Sequence, residues 1–219
     1  MCRMLVMKSK TNVEAREYFN SLSKMAYSGK NNPHGDGYGY LVLSNGFMEY
    51  KRFITHIWRT DFPSIKCNFA IIHARKASPG YKVNLYHVHP FLCEVKGKTF
   101  AFMHNGTIYG MKERNGMIDS QFYFNIVIKF LDNYSPGEAL RRAALKIEEQ
   151  FKYTSLTSIL TDLNNVWALK KNNSETDDYY NLFFNDSGNT QIISSEPMEK
   201  YGKLFSPSKE LTNKELLIF

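Results

Sequence analysis

Two helical segments, "DSQFYFNIVIKFLDNY" and "SPGEALRRAALKIEEQF", stand back to back in the middle of the chain with strand-like sequence on either side. Ser135 is placed to cap the second helix, Pro136 fits its first turn, and Glu138 completes a capping box. Before this pair, "TNVEAREYFNSLSKMAYSGK" carries Val13, Ala15, Tyr18, Phe19, Leu22 and Met25 at helical spacing. Thr11 or Asn12 would cap that helix, and Gly29 would stop it. "GYGYLVL" and "FMEYKRF" read as strands about the turn Ser44-Asn45-Gly46, since Asn-Gly accepts the positive φ values of a tight hairpin. "NFAIIHA" and "TFAFMHN" are two further β-like runs that end in polar residues at His73 and His104. "SLTSILTDLNNVWALKK" and "YYNLFFNDSGNTQIISS" each read as strand, polar turn, strand, and "KELLIF" adds an edge strand. Strand, helix, strands, two helices and more hairpins suit sheets stacked between helical layers better than alternating βα units, which makes the fold class α+β. With no repeat and no linker, residues 1–219 are expected to form a single domain.

The chain has material for a layered core: 43% of its 219 residues are apolar, including 16 Phe and 14 Tyr. No apolar run approaches the length of a membrane span, and "MLVM" is too short and too soon followed by Lys8 and Lys10 for a secretory segment. The expected location is the cytoplasm. Three cysteines, Cys2, Cys67 and Cys93, lack CxxC spacing, which argues against a disulfide framework and a zinc knuckle. The net charge of +7 comes from lysines spread singly, without a basic helix or an aromatic stripe, so nucleic acid is not the expected partner.

Cys2 is the odd residue, because a chain start is usually frayed and gives a thiol little to pack against. It can be a small buried hydrophobe in a first strand, half of a disulfide, or a nucleophile exposed as the N-terminal residue once Met1 is cleaved. Three other pieces carry candidate chemistry: "HARKAS" at 73–78, "HNG" at 104–106 and "DSQ" at 119–121. Singly, each has an ordinary reading, with Arg75 as a surface cation, Asn105-Gly106 as a turn and Asp119 as a helix cap.

Taken in order, these residues resemble the class II glutamine amidotransferases of the N-terminal nucleophile hydrolase group. In that family a Cys follows the initiator Met, H-x-R-x-A ends one strand, H-N-G ends another, and an acidic residue opens a helix soon after. Here those are Cys2, His73-Ala74-Arg75-Lys76-Ala77, His104-Asn105-Gly106 and Asp119. "HGDGYGY" at 34–40, "HVHPF" at 87–91 and "SSEPM" at 194–198 are similar to segments of the stand-alone YafJ-like branch. Three positions depart from the pattern. Lys76 stands where several relatives have Trp, Gln121 where an acidic residue is usual, and the Arg common before the Gly-Asp segment is missing, with His34 nearby.

The resemblance implies a four-layer αββα sandwich and a glutaminase reaction without a cofactor. Removal of Met1 would free the α-amine of Cys2, a base with pKa near ~8 beside a thiol near ~8.5. Asn105 and the Gly106 N–H would hold the oxyanion, Arg75 and Ser78 the α-carboxylate of glutamine, and Asp119 its α-ammonium. With no room in the chain for such a domain, the released ammonia would pass to a separate synthetase or acceptor enzyme that the sequence does not name, or simply be lost. Two alternatives are a hydrolase of some other γ-glutamyl amide and a catalytically silent glutamine-binding subunit. His87, His89 and Cys93 suggest a metal triad, but no fourth ligand follows at metal-site spacing, so no metal is expected. Cys67 and Cys93 read as packing thiols, and His73 and His104 as residues that orient loops.

Overall fold

The apolar chain start becomes a central strand. In the computed structural model, which describes residues 2–111, 116–174, 178–202 and 205–219, β1 (Cys2–Glu14) is buried along nearly its whole first half. Both faces of "MLVM" are covered, which is why the run is continuously apolar rather than alternating. β1 continues past the expected helix start: beyond an irregularity between Lys8 and Val13 it pairs again, Val13 with Cys67 and Glu14 with Lys66. Helix α1 (Ala15–Ser28) therefore begins later than Thr11 or Asn12 would set it, capped by Glu14, which accepts from the Arg16 N–H. The same carboxylate accepts from Ser64 Oγ and the Ile65 N–H, so one side chain fixes both the strand end and the helix start.

The described residues form two compact units. The first comprises the stretch ending at Ala77, Lys82–Pro90 and Asn181–Leu211. With β2 (Tyr38–Ser44), β3 (Phe47–Phe53), β4 (Lys66–Arg75), β9 (Phe183–Asp186), β10 (Thr190–Ser194) and β11 (Lys209–Glu210) it makes a seven-stranded sheet of order β11-β9-β10-β1-β4-β2-β3. Asn45 and Gly46, both at positive φ, turn the β2–β3 hairpin as expected. The apolar face of α1, with Phe19, Leu22 and Met25, packs on Leu5, Met7, Ala70 and Ile72 of the sheet.

The second unit comprises Ser78–Tyr81, Phe91–Tyr180 and Thr212–Phe219. Its five-stranded sheet runs β12-β8-β7-β6-β5, built from β5 (Phe91–Val95), β6 (Lys98–Asn105), β7 (Thr157–Thr161), β8 (Val166–Leu169) and β12 (Leu216–Ile218). The expected tail strand is β12, paired to β8. Helices α2 (Asp119–Leu131) and α3 (Pro136–Gln150) bury Phe124, Val127, Leu140 and Ile147 in one cluster with Phe102 and Leu160 of that sheet. The capping box expected at α3 does not form. Ser135 occupies the cap position without a side-chain bond, and Glu138 instead pairs with Arg142 at 2.6 Å, one turn along. Among the described residues no helix is long and apolar enough to cross a membrane.

Phe102 is fully buried, stacked on Phe124 at 5.0 Å and edge-on to Tyr123 at 5.2 Å. Phe102→Ala should cost about 3–5 kcal/mol by loss of transfer energy and a residual cavity. Urea denaturation checks this, and a loss under ~1 kcal/mol would mean that the sheet and α2 are not packed through this ring.

Candidate functional site

In the first unit the antiparallel pairing of β1 with β4 sets Cys2 directly opposite Arg75. Both are buried, at 6% and 3% exposure. The guanidinium lies against the Lys82 carbonyl at 3.4 and 3.5 Å, while the backbone of Arg75 is bracketed by the "HGDGYGY" segment. The Arg75 N–H donates to Gly37 O at 2.8 Å, the Asp36 N–H donates to Arg75 O at 2.9 Å, and Asp36 Oδ2 accepts from the Ala77 N–H at 2.8 Å. The end of β4 is thus shaped by Asp36, a residue the sequence suggested only as part of a segment. Lys76 donates from Nζ to Asn31 O at 2.6 Å and is tied to the same loop.

In the second unit β6 delivers Asn105 and Gly106, with Asn105 paired to Thr157. A Cβ on Gly106 would overlap the Ser155 carbonyl, so only glycine allows the backbone this close. His104, at the strand end, bridges two neighbours: its Nε2 lies 3.0 Å from Ser155 O and its Nδ1 2.9 Å from Ser120 Oγ. A carbonyl can only accept, so Nε2 carries the proton and Nδ1 accepts from the Ser120 hydroxyl. His104 is a loop-orienting residue in this geometry, as the sequence suggested.

Asp119 opens α2 and is buried. Its Oδ2 accepts from the Ile108 N–H at 2.8 Å and its Oδ1 from the Ser120 N–H at 2.9 Å. The carboxylate therefore fixes the chain just beyond Gly106 while each oxygen keeps a lone pair for a further donor. Ser78 Oγ shares a hydrogen bond of 2.8 Å with Thr107 Oγ1, next to Gly106. Gln121 has a structural task, because its Oε1 accepts from the Ile118 N–H at 3.0 Å and so satisfies a donor at the start of α2. Ser78, Asn105, Gly106 and Asp119 thus gather in the second unit, and Cys2 and Arg75 in the first.

Some contributors lie outside the motifs. Ser155 Oγ accepts from the Thr157 N–H at 2.9 Å, and Asn172 Oδ1 accepts from the hydroxyls of Ser155 and Thr157 at 3.2 and 3.1 Å. This buried network supports the β7 end beside Gly106, and its residues are too scattered in sequence to form a pattern. The suggested metal triad has other occupations: His87 Nδ1 lies 3.4 Å from Lys82 O, and His89 packs on His73 with ring centroids 4.3 Å apart. Among the described residues no group of three or more His, Cys, Asp or Glu could hold a metal ion. Burial pushes the thiols of Cys67 and Cys93 up to about 11, which suits packing rather than reaction.

Two buried histidines are held neutral. Burial, followed by the nearby charge of Arg3, lowers His34 to about 3, although its ring donates to Ala26 O. Burial, with Arg75 also contributing, lowers His73 well below the usual imidazole range. The folded state therefore refuses protons that the unfolded imidazoles accept below pH ~6.5, and stability should fall on acidification by up to ~1.4 kcal/mol per pH unit for each group. Urea denaturation between pH 7 and pH 5 tests this above the carboxylate range, and His34→Gln should reduce the slope. Stability independent of pH over that window would contradict neutral burial.

The family model of class-II glutamine amidotransferases matches residues 1–173. YafJ of Escherichia coli K12 is 30% identical over 119 residues, which cover 51% of this chain and 45% of that protein. The chain spans half or less of the length of each curated relative it matches. The glutamine phosphoribosylpyrophosphate amidotransferase of B. subtilis superposes with a TM-score of 0.72 at 14% identity, over 99% of this chain and 47% of the other. A predicted glutamine amidotransferase from Pseudomonas aeruginosa gives 0.58 at 16% identity, over the whole of this chain and 97% of the other. At these identities the likeness shows the fold, an α+β sandwich of the N-terminal nucleophile hydrolase type, as the sequence implied.

Proposed function

The chain belongs to the class II glutamine amidotransferases, and from that footing we propose that it hydrolyses the side-chain amide of glutamine through a thioester on Cys2. The observation that carries the reading is the β1–β4 register, which sets buried Cys2 directly opposite buried Arg75. In this reading Met1, which lies outside the described residues, is removed and the freed α-amine takes the thiol proton. The thiolate attacks the amide carbon, and the oxyanion is held by the Asn105 side chain and the Gly106 N–H, each donor worth roughly 3 kcal/mol. The α-amine returns its proton to the leaving nitrogen, ammonia departs, and water then cleaves the thioester to give glutamate. Arg75 and Ser78 take the α-carboxylate and Asp119 the α-ammonium.

We further read residues 1–219 as one amidotransferase domain acting in the cytoplasm and passing ammonia to a separate acceptor enzyme. Lys76 and Gln121, two of the departures from the family pattern, both have structural tasks and so give no reason to prefer another γ-glutamyl amide over free glutamine.

Arg75→Lys should raise KM for glutamine severely, because an ammonium cannot reproduce the bidentate fork to a carboxylate. Steady-state kinetics decide, and a KM within about twofold of the parent would make Arg75 a structural residue. Inserting Leu between Met1 and Cys2 should block removal of Met1 and lower hydrolysis by at least ~10²-fold, as for loss of a general base. Intact mass before and after 6-diazo-5-oxo-norleucine would show both the chain start and thiol reactivity. Full activity from the blocked chain would end the N-terminal nucleophile assignment, and a parent that retains Met1 and ignores the reagent would favour the silent binding subunit.

A further inference from the structure

We propose that Arg3 and Glu196 form a positioning clamp that fixes the backbone of Cys2 for reaction, an inference that rests on Cys2 being the nucleophile. Arg3 is a fully buried cation immediately after Cys2. Its Nη1 donates to the Cys2 carbonyl at 3.2 Å, and its Nη2 donates to the Lys30 carbonyl and pairs with Glu196 Oε1 at 2.8 Å. The carboxylate of Glu196 is itself held on both oxygens. Oε1 accepts from the Lys30 N–H at 2.9 Å, and Oε2 accepts from the Tyr201 hydroxyl. Burial and this carboxylate both raise the Tyr201 pKa, so the phenol remains a donor.

The rest of "SSEPM" serves the same end. Ser194 Oγ donates to Glu196 O at 2.7 Å, Ser195 Oγ accepts from the Met4 N–H at 2.8 Å, and the Ser195 N–H donates to Met4 O at 3.0 Å. A Cβ on Gly29 would overlap both Glu196 Oε1 and the Met25 carbonyl, so glycine at the helix terminus leaves room for that carboxylate. The first residues of β1 are thus gripped at the Cys2 carbonyl and at both polar groups of Met4.

A buried ion pair is a poor stability device, since an apolar replacement of similar volume often does as well. Its distinct contribution is geometry. A planar guanidinium fixes the plane of the peptide it holds, and with it the directions of the amine and thiol on the Cys2 α-carbon. Chain ends fray, and a misplacement of about 1 Å at a reacting group costs on the order of 10²-fold in rate. The clamp removes that freedom without touching the substrate, so its loss belongs in kcat.

Arg3→Lys and Glu196→Gln should each lower kcat for glutamine by at least ~10-fold with KM held within about twofold. The rate of Cys2 alkylation by iodoacetamide should fall in parallel, with a shifted pH midpoint. Tyr201→Phe, which loses only the outer hydrogen bond, should lose less in the same direction. The double variant Arg3→Met with Glu196→Leu refills the space with apolar groups and separates stability from positioning: parental Tm with depressed kcat and alkylation is the expected result. Parental kcat and alkylation in that folded double variant would overturn the clamp, and Tyr201→Phe decides if the double variant does not fold. A parent that alkylates at Cys2 yet leaves glutamine intact would overturn the proposed reaction, and the alkylation rates would then decide the clamp by themselves.

Discussion

The backbone ladder between β1 and β4 is the interaction on which the first unit depends. It runs from Cys2 opposite Arg75 to Lys8 opposite Phe69, and resumes at Val13. Its register is set by burial. Leu5 and Met7 share the apolar cluster with Ala70, Ile72 and α1, while Met4 and Val6 are equally covered on the other face. Slipping by one residue would exchange these two sets and move Arg75 away from Cys2. The pairing of Cys2 with Arg75 at the strand end is therefore specified by side chains several residues away that take no part in any chemistry.

The second unit uses a different device for the same purpose. There the positions after β6 are set by close backbone approach and side-chain acceptors: Ser155 O beside Gly106, Asp119 on the Ile108 N–H, and His104 between Ser120 and Ser155. Buried polar groups of this kind are costly when unpaired, so the network holds its members to narrow positions. Asp119 gains a fixed position from the same bonds that leave it room for a cationic partner. A residue that reads in sequence as an ordinary helix-start acid is thus committed to the loop before the helix.

Much of this architecture was legible because it rests on local rules. Asn45-Gly46 forms its turn, Pro136 sits in the first turn of its helix, and the periodicity of Tyr18, Phe19, Leu22 and Met25 finds the buried face of α1. The misreadings also have local causes. Thr11 and Asn12 are good caps, but pairing of Val13 and Glu14 with β4 holds the chain extended past them. Ser135 and Glu138 have the right spacing for a capping box, yet Arg142 one turn along takes the carboxylate. The pairing of Arg3 with Glu196 escaped notice for another reason, since it joins opposite ends of the chain and "SSEPM" marks Glu196 only as part of a segment. Motif reading found the residues with candidate chemistry, and tertiary contact alone identifies what holds them.

The seven-stranded sheet ends at β3, which has no strand on its other side among the described residues. Its hairpin tip carries Phe47 at 81% exposure and Met48 at 48%, an apolar start to an otherwise open edge. Farther along, Glu49, Lys51 and Arg52 break the apolar run, and lysine or arginine on an edge discourages a second sheet from adding to it. The protection is ionic, so it weakens as the Debye length contracts from ~10 Å at 0.1 M salt to ~3 Å at 1 M. An edge left open in this way is where ionic strength should act first, and a charge placed at Phe47 should oppose association there.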